Sequence, residues 1–580
     1  MSSSLELSKR LRALTDEQLS ELASTRLTNS TSIKDYFDLA DALLTEDSIL
    51  SAVRRLTLEQ LLQLRELASS GSVTADAQLT AAVEHALLGP EGKKLALYPE
   101  VSTVILSSTE KLTPAAASQA SPAEKGSELR DAAALETALS AITSLDELAR
   151  SIESHHVKEL ARGGLSAQDS QRLAPLMPSA EITPTALLAL GHLSGILAKN
   201  GGWWMATEKL DTWLHLPLAE RWLAVTTAWS QSLGRDLHAI LSAESHWGSD
   251  LHEWIDLHYP LGHEWLDSAL ADRLSDAELL GLSSAGTVTA VGRAALAQDW
   301  KAVIAALAAV VPPFTEHVFV QHDFTVVAPG PLTPADDVFM RQLCVVESRG
   351  LATTFRITAQ GTNHLLAQGT SAAQILEHLT SLAATDIPQA VSYFITDLGE
   401  RFGTIRVREV SGHTVVKASD VLVLRTINAD HSLHSLGLRP VSEDSLQCSI
   451  SAGIVLNALL DAKYPAQLED ASGKIIAAPV HRRSIELQRE PVSPHVALVQ
   501  RLRGSREAAT TDDATWIARQ LDVAVREKSI LIVTVAMPDG EREFTIEPKG
   551  FSNGRLRCLD RTTEVERTLP ASHITAVRPG

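Results

Sequence analysis

Over the first hundred residues apolar positions recur every three to four residues, which predicts helices. "LTDEQLSELAS" from Leu14 and "LTLEQLLQLRELAS" from Leu56 each open with a capping box. Thr15 pairs with Gln18 and Thr57 with Gln60, each partner satisfying a backbone N–H left free at the helix start. "LSDAELLGLSS" from Leu274 is a looser relative and is expected to start a further helix rather than mark an internal repeat. From 107 to 128 the period is lost in "SSTEKLTPAAASQASPAEKGSE", the composition of a flexible linker. Helical patterning then resumes as far as 313. In "LHLPLAERWLAVTTAWSQSL" Pro217 suits a first turn, and Trp222 and Trp229 share one face with Leu and Val between them, the spacing of core residues.

Around Phe314 the period changes to that of strands. "HVFVQHDFTVVAPG" reads as one buried strand ending in a Pro-Gly turn, and "LATTFRIT" as a second. "SAAQILEHLTSLA" is an amphipathic helix capped by Ser371 and Gln374. Pro388 starts the next helix, Val391, Phe394, Ile395, Leu398 and Phe402 recur along it, and Gly403 suits its left-handed end. "TIRVREV" and "TVVKAS" alternate as a hairpin turning at 411–413. Helix, helix, hairpin is the order of a winged-helix module, in which the second helix and the wing form the contact surface. Further on, "SAGIVLNALLDAKYP" is a helix between short strands. Six arginines (Arg482, Arg483, Arg489, Arg501, Arg503, Arg506) with two prolines predict an exposed basic linker. A helix, "ATWIARQLDVAVREK", and five short strands then point to a small Sm-like or SH3-like barrel.

The expected class is therefore α+β and multidomain, with a mainly helical N-terminal half built of winged-helix-like modules, an α/β middle and a terminal β-barrel. The expected division is 1–106 (winged-helix-like helical domain), 107–128 (linker), 129–313 (Trp-rich helical domain), 314–425 (strand, helix and winged-helix module), 426–478 (small α/β unit), 479–513 (basic linker) and 514–580 (barrel).

Composition narrows the partners. The chain has 580 residues and a net charge of −20, which argues against coating nucleic acid by bulk charge. The acid is unevenly placed: from Pro479 onward 16 Lys and Arg face 14 Asp and Glu, a net of +2, against −22 before it. Three widely spaced cysteines form no CxxC pair, so neither structural zinc nor a disulfide framework is expected, in keeping with a reducing cytoplasm. The N-terminus lacks a signal-peptide pattern, and the longest apolar run, "AVIAALAAVV", is too short to span a bilayer, so no membrane partner and a cytoplasmic location are expected.

Signatures of catalysis do not assemble. "GPEGKK" fails the spacing of a phosphate-binding loop, and "HEWIDLH" places His252 and His258 six apart rather than on one helical face. Cys344 lies in the apolar "RQLCVVES". The expectation is a non-enzyme with no cofactor and no metal.

The text "FRITAQGTNHLLAQGTSAAQILEHLTSLAATDIPQAVSYFITDLGERFGTIRV" resembles the N-terminal domain of XPB-type DNA repair helicases over about 314–425, and the chain as a whole is similar to actinobacterial helicase-associated proteins. The ATPase motor of those helicases does not follow. "EPKGFSNGRLRCLDRTTEVERTLPASHITAV" resembles a WYL domain over about 515–580, with "RLRCLD" where its aromatic signature belongs. The resemblance implies a DNA-repair or helicase-associated accessory protein docking DNA, an XPB-type helicase, or both. A protein scaffold, or a ligand-sensing regulator acting through the terminal domain, is the competing reading. The expected phosphate contacts are Arg401 at the second helix, Arg406, Arg408, His413 and Lys417 on the wing, and Arg555, Arg557, Arg561 and Arg567 on the barrel.

Overall fold

The structure is a computed structural model that describes residues 3–27, 29–73, 80–91, 94–113, 128–179, 181–348, 352–410, 412–470, 473–476, 494–508, 513–537 and 540–579. Helices and several small sheets alternate along it, in keeping with an α+β multidomain chain. The predicted caps at Thr15, Thr57 and Ser371 each form both hydrogen bonds of the box. Ser275 opens no helix: His263–Leu279 runs straight through it, because Leu266, Leu270 and Ala277 stay on one buried face. Most of the linker expected at 107–128 lies outside the described residues, but 107–109 close the helix Pro99–Thr109.

Five helices between Ser3 and Ser70 lead into three strands, Ser72–Val73, Leu88–Glu91 and Lys94–Leu97, in which the third lies between the other two. Arg26 is buried among them and donates to the carbonyls of Ser48 (3.2 Å), His85 (2.7 Å) and Leu43. Burial pulls its guanidinium down to about 9. The next unit opens with the long helix Glu128–Ser154 and packs its largest side chains inward: Trp222 and Trp229 are fully buried, donating to the carbonyls of Leu280 (3.0 Å) and Arg273 (2.9 Å). These two are core residues, as their spacing predicts.

The middle of the chain departs from expectation in three places. "HVFVQHDFTVVAPG" is two strands, Phe319–Val320 and Thr325–Ala328, because Asp323 accepts from the backbone N–H (3.2 Å) and hydroxyl (3.0 Å) of Thr325 and turns the chain between them. With Thr353–Ile357 and Cys344–Ser348 they form a four-stranded antiparallel sheet. The hairpin Ile405–Val410 and His413–Ala418 is not a free wing. It occupies the centre of a six-stranded sheet, flanked by Ser445–Cys448 on one side and, in parallel, by Ala466–Glu469 on the other. Its inward residues Ile405, Val407 and Val416 pack with Leu424, Val455 and Leu459, whereas Val391 and Ile395 of the preceding helix belong to the core of the four-stranded sheet. One sheet therefore crosses the boundary expected at 425/426.

The third departure concerns the basic linker. Residues 477–493 lie outside the described residues, but Pro494–Ala508 is a helix. Leu498, Val499 and Leu502 are buried in the N-terminal core, and Arg503 donates to the carbonyls of Arg12 (3.2 Å) and Leu14 and to the Tyr36 hydroxyl (3.1 Å). Apolar contact at three positions outweighs the arginine-rich composition. The terminal five strands form an open sheet; Val565–Pro570 and Ile574–Pro579 lie at its two edges and do not pair, so the expected closed barrel is absent among the described residues. Its apolar face is covered instead by Ile517 and Leu521 of the helix Asp513–Glu527 together with Leu5 and Phe37 of the N-terminal unit. Lys9 also donates to the Val577 carbonyl at 3.0 Å.

Candidate docking surfaces

Strand alternation decides which side chains of the central hairpin face outward. Since Ile405 and Val407 point to the core, Arg406 and Arg408 lie on the opposite face, and Lys417 stands beside Arg406 in register. His413 is exposed at the start of the second strand. Arg406, Arg408 and Lys417 share one face of the hairpin, but none of the three stands in an open positive field. Arg406 donates to the Gln467 side chain at 2.9 Å and its Nε lies 3.6 Å from Glu469. Lys417 lies 3.5 Å from Asp444, whose carboxyl is held below its usual range by the Ser442 hydroxyl and by Lys417. Arg408 is in register with Glu469, and its Nε is buried without a hydrogen-bond partner. Gly403 makes the turn into this sheet feasible: its φ is +83°, and a Cβ there would fall 2.5 Å from the Gln467 amide oxygen.

Arg401 pairs with Asp397 one turn earlier at 2.9 Å. The exposed face of the helix Gln389–Arg401 also carries Tyr393, Thr396 and Glu400, so Asp397 and Glu400 outnumber Arg401. A recognition helix of that charge opposes approach to phosphate.

On the terminal sheet, pairing is nearly complete. Arg557 binds Glu566 (3.1 Å), Arg561 faces Glu547 (3.3 Å) and Arg567 binds Asp560 (2.9 Å) while lying 5.2 Å from the Phe544 ring. Hydrogen bonding by Arg557, then its charge, holds the Glu566 carboxyl low. Burial would raise Asp560, but hydrogen bonds from Thr563, Thr562 and Arg567 overcome it. Arg555 is exposed beside the Asn553-Gly554 turn. Arg557–Glu566 and Arg561–Glu547 are exposed pairs that contribute little to stability, so a phosphate can displace them, but they cancel the field that would draw it in.

The sheets bear on the comparison with known families. Residues 318–442 match the helicase conserved C-terminal domain. The matched segment is 125 of 580 residues and supports a helicase-associated role. No curated protein matches the chain. The match takes in the whole four-stranded sheet and the central hairpin, and ends on the edge strand Arg439–Ser442 of the six-stranded sheet. It is anchored to the helix Glu128–Ser154 by Arg341, which binds Glu147 (2.7 Å) and Asp337 (2.8 Å), and by Arg150 to Asp337 (3.1 Å). Beside these pairs a cleft of about 660 Å³ is lined by His155, His215, His364 and Asp461.

Burial raises the Cys344 thiol and pushes that of Cys558 up to about 11, and Cys448 is buried as well. His252 bonds Asp267 (2.9 Å) and His258 bonds the Trp254 carbonyl (2.8 Å). Among the described residues no group of three His, Cys, Asp or Glu is placed to hold a metal ion, and no helix is long and apolar enough to cross a membrane.

Sequence reasoning passed over one group of side chains. Lys158, Arg162, Lys199 and Trp203 gather where the strand Val157–Lys158 meets the hairpin Leu197–Asn200 and Trp203–Ala206. The signal in the sequence is Gly201-Gly202, a turn signal between "GILAKN" and "WWMAT".

Proposed function

We propose that the chain is a non-catalytic, helicase-associated accessory protein of DNA repair that docks DNA and an XPB-type helicase. The observation that carries this reading is the fold of the matched segment. A helicase motor domain holds nucleotide on loops between parallel strands and helices, where backbone N–H groups meet the phosphates. Residues 318–442 instead carry an antiparallel four-stranded sheet and an antiparallel hairpin. The resemblance to the XPB-type N-terminal domain supplies the partner, and the WYL-like text supplies a terminal docking module. A polar outer sheet face whose cations already sit beside carboxylates is suited to exchanging pairs with a similarly mixed protein surface.

The test is retention of purified XPB-type helicase on the immobilised chain, with and without nuclease, alongside ATP turnover by the chain alone. Helicase retained under both conditions, with no turnover, is expected. Loss of all retention after nuclease treatment would remove the direct helicase contact. Turnover above background would remove the non-catalytic role.

A further inference from the structure

Residues 128–206 follow an order of their own: the helix Glu128–Ser154, the strand Val157–Lys158, the helices Ala167–Leu173 and Pro184–Leu193, then the hairpin. The lone strand pairs with the second strand of the hairpin, Val157 opposite Trp204 and Lys158 opposite Trp203. Two helices with a hairpin beside the second is the arrangement expected earlier for 314–425, and here the hairpin has a free tip.

That tip has an unusual composition for so acidic a chain. Trp203 is 43% exposed, whereas Trp204, Trp213, Trp222, Trp229 and Trp247 are buried. The Lys158 ammonium lies 5.7 Å from the centre of the Trp203 ring, and Lys199 lies 4.7 Å from Trp204 while pairing with Glu159 (2.7 Å). Arg162 is exposed on the adjoining turn, which is closed by Leu160 N–H to Gly164 O (3.0 Å) and joined to the hairpin by Glu159 N–H to Gly202 O (2.9 Å). Neither Lys158 nor Arg162 forms an ion pair among the described residues. Gly163, Gly164, Gly201 and Gly202 all have positive φ, and a Cβ at any of them would meet nothing within 4 Å. Backbone at the tip is thus open to close approach. The neighbouring helix, "PTALLALGHL", contains no carboxylate.

We propose that this tip is a docking surface for forked DNA, with Lys158 and Arg162 on duplex phosphates and the Trp203 ring stacking on the first unpaired base. The proposal rests on the DNA-docking part of the function above. Unpaired cations supply the salt-dependent attraction that the paired arginines of the central hairpin do not. A half-exposed indole gains by stacking, and a paired base has both faces already stacked, so a fork or an end offers the free face.

The test is fluorescence anisotropy of the full chain with a labelled fork and with a fully paired duplex of equal length, titrated over about 50–200 mM salt. The wild type is expected to favour the fork. Trp203→Ala should weaken fork binding by about 5- to 150-fold, the equivalent of about 1–3 kcal/mol, and abolish the preference, while Trp203→Phe retains it. Lys158→Glu with Arg162→Glu should weaken fork and duplex alike and lower the salt slope by about 2. Circular dichroism melts check that each variant is folded. Wild-type binding with unaltered binding by folded tip variants would overturn the tip assignment and leave DNA docking standing elsewhere. No affinity of the wild type for either DNA would remove DNA docking and the tip proposal together. Unaltered DNA binding with loss of purified XPB-type helicase would reassign the tip to protein.

Discussion

Leu502→Ala is the sharpest check on the way this chain closes. Leu502 is fully buried, as is Leu498, and both lie in one cluster with Leu19, Ile33 and Tyr36 of the N-terminal unit. Truncating a fully buried leucine costs about 2–5 kcal/mol, the transfer of the side chain plus the cavity it leaves. For a unit of roughly a hundred residues each kcal/mol moves the midpoint by about 4–8 °C, so the thermal transition of that unit should fall by at least about 8 °C. A multidomain chain need not unfold in two states, so the assay must be local. Hydrogen exchange read by mass spectrometry should show faster exchange in Pro494–Ala508 and in Asp16–Arg26, the helix it packs against. If the segment were the exposed linker that its arginines imply, the substitution would change stability by no more than about 0.5 kcal/mol and leave exchange in Asp16–Arg26 as it was. That result would refute the packing argument.

Asp146→Ala removes the carboxylate that accepts from Trp213 Nε1 (2.6 Å) and pairs with buried Arg221, leaving the guanidinium uncompensated; a loss of about 3–5 kcal/mol is expected by chemical denaturation. Gly361→Ala would place a Cβ 2.2 Å from the Leu343 carbonyl oxygen, wedging the helix Ala359–Ala367 off Pro334–Leu343; a loss of about 1–3 kcal/mol, with lower retention of helicase, should follow. Asp276 gives a pH test. Burial raises its carboxyl from 3.8 to about 6 against the pull of Arg273. Because the folded state then holds the proton more tightly than the unfolded one, stability should fall as pH rises from about 4 to about 6, by at most about 3 kcal/mol and less with solvent screening, and stay level above. Denaturation of Asp276→Asn across that range should lack the fall; a parallel fall in both proteins would count against it.

What the sequence made legible was local. A capping box needs two residues three apart, and all three that were read formed both bonds. Trp222 and Trp229 sat at core spacing and are buried, and Pro388 and Gly403 bracket their helix as their fixed and free φ values require. What stayed hidden was decided by partners far along the chain. The strand at Ile405 pairs in parallel with that at Ala466, and no period in either reveals the other. Arg503 is charged and looks solvated in sequence, yet it donates to carbonyls near the far terminus. The terminal sheet follows the same rule, since Leu5 and Phe37 from the far end of the chain cover its apolar face and no period in its five strands reveals them.

Charge count and charge placement lead to different conclusions about contact with an anion. Most of the candidate cations predicted from sequence lie on strands, and in a sheet the cross-strand neighbour is close enough to bring a carboxylate to several of them. Glu566 serves Arg557 and Lys549 at once, and Glu469 stands beside both Arg406 and Arg408. Such a surface is near neutral a few ångströms out, whatever number of arginines it holds. Lys158 ends a two-residue strand beside the hairpin and Arg162 lies on a turn, where Lys199 already takes Glu159 and no further carboxylate is paired with them among the described residues. Attraction that decays over about 10 Å at 0.1 M salt is felt from such a projecting point before it is felt from a flat, compensated sheet. If an anionic polymer approaches this acidic chain, the free tip is where it meets the least opposition, and the paired faces remain available to a partner that brings charges of both signs.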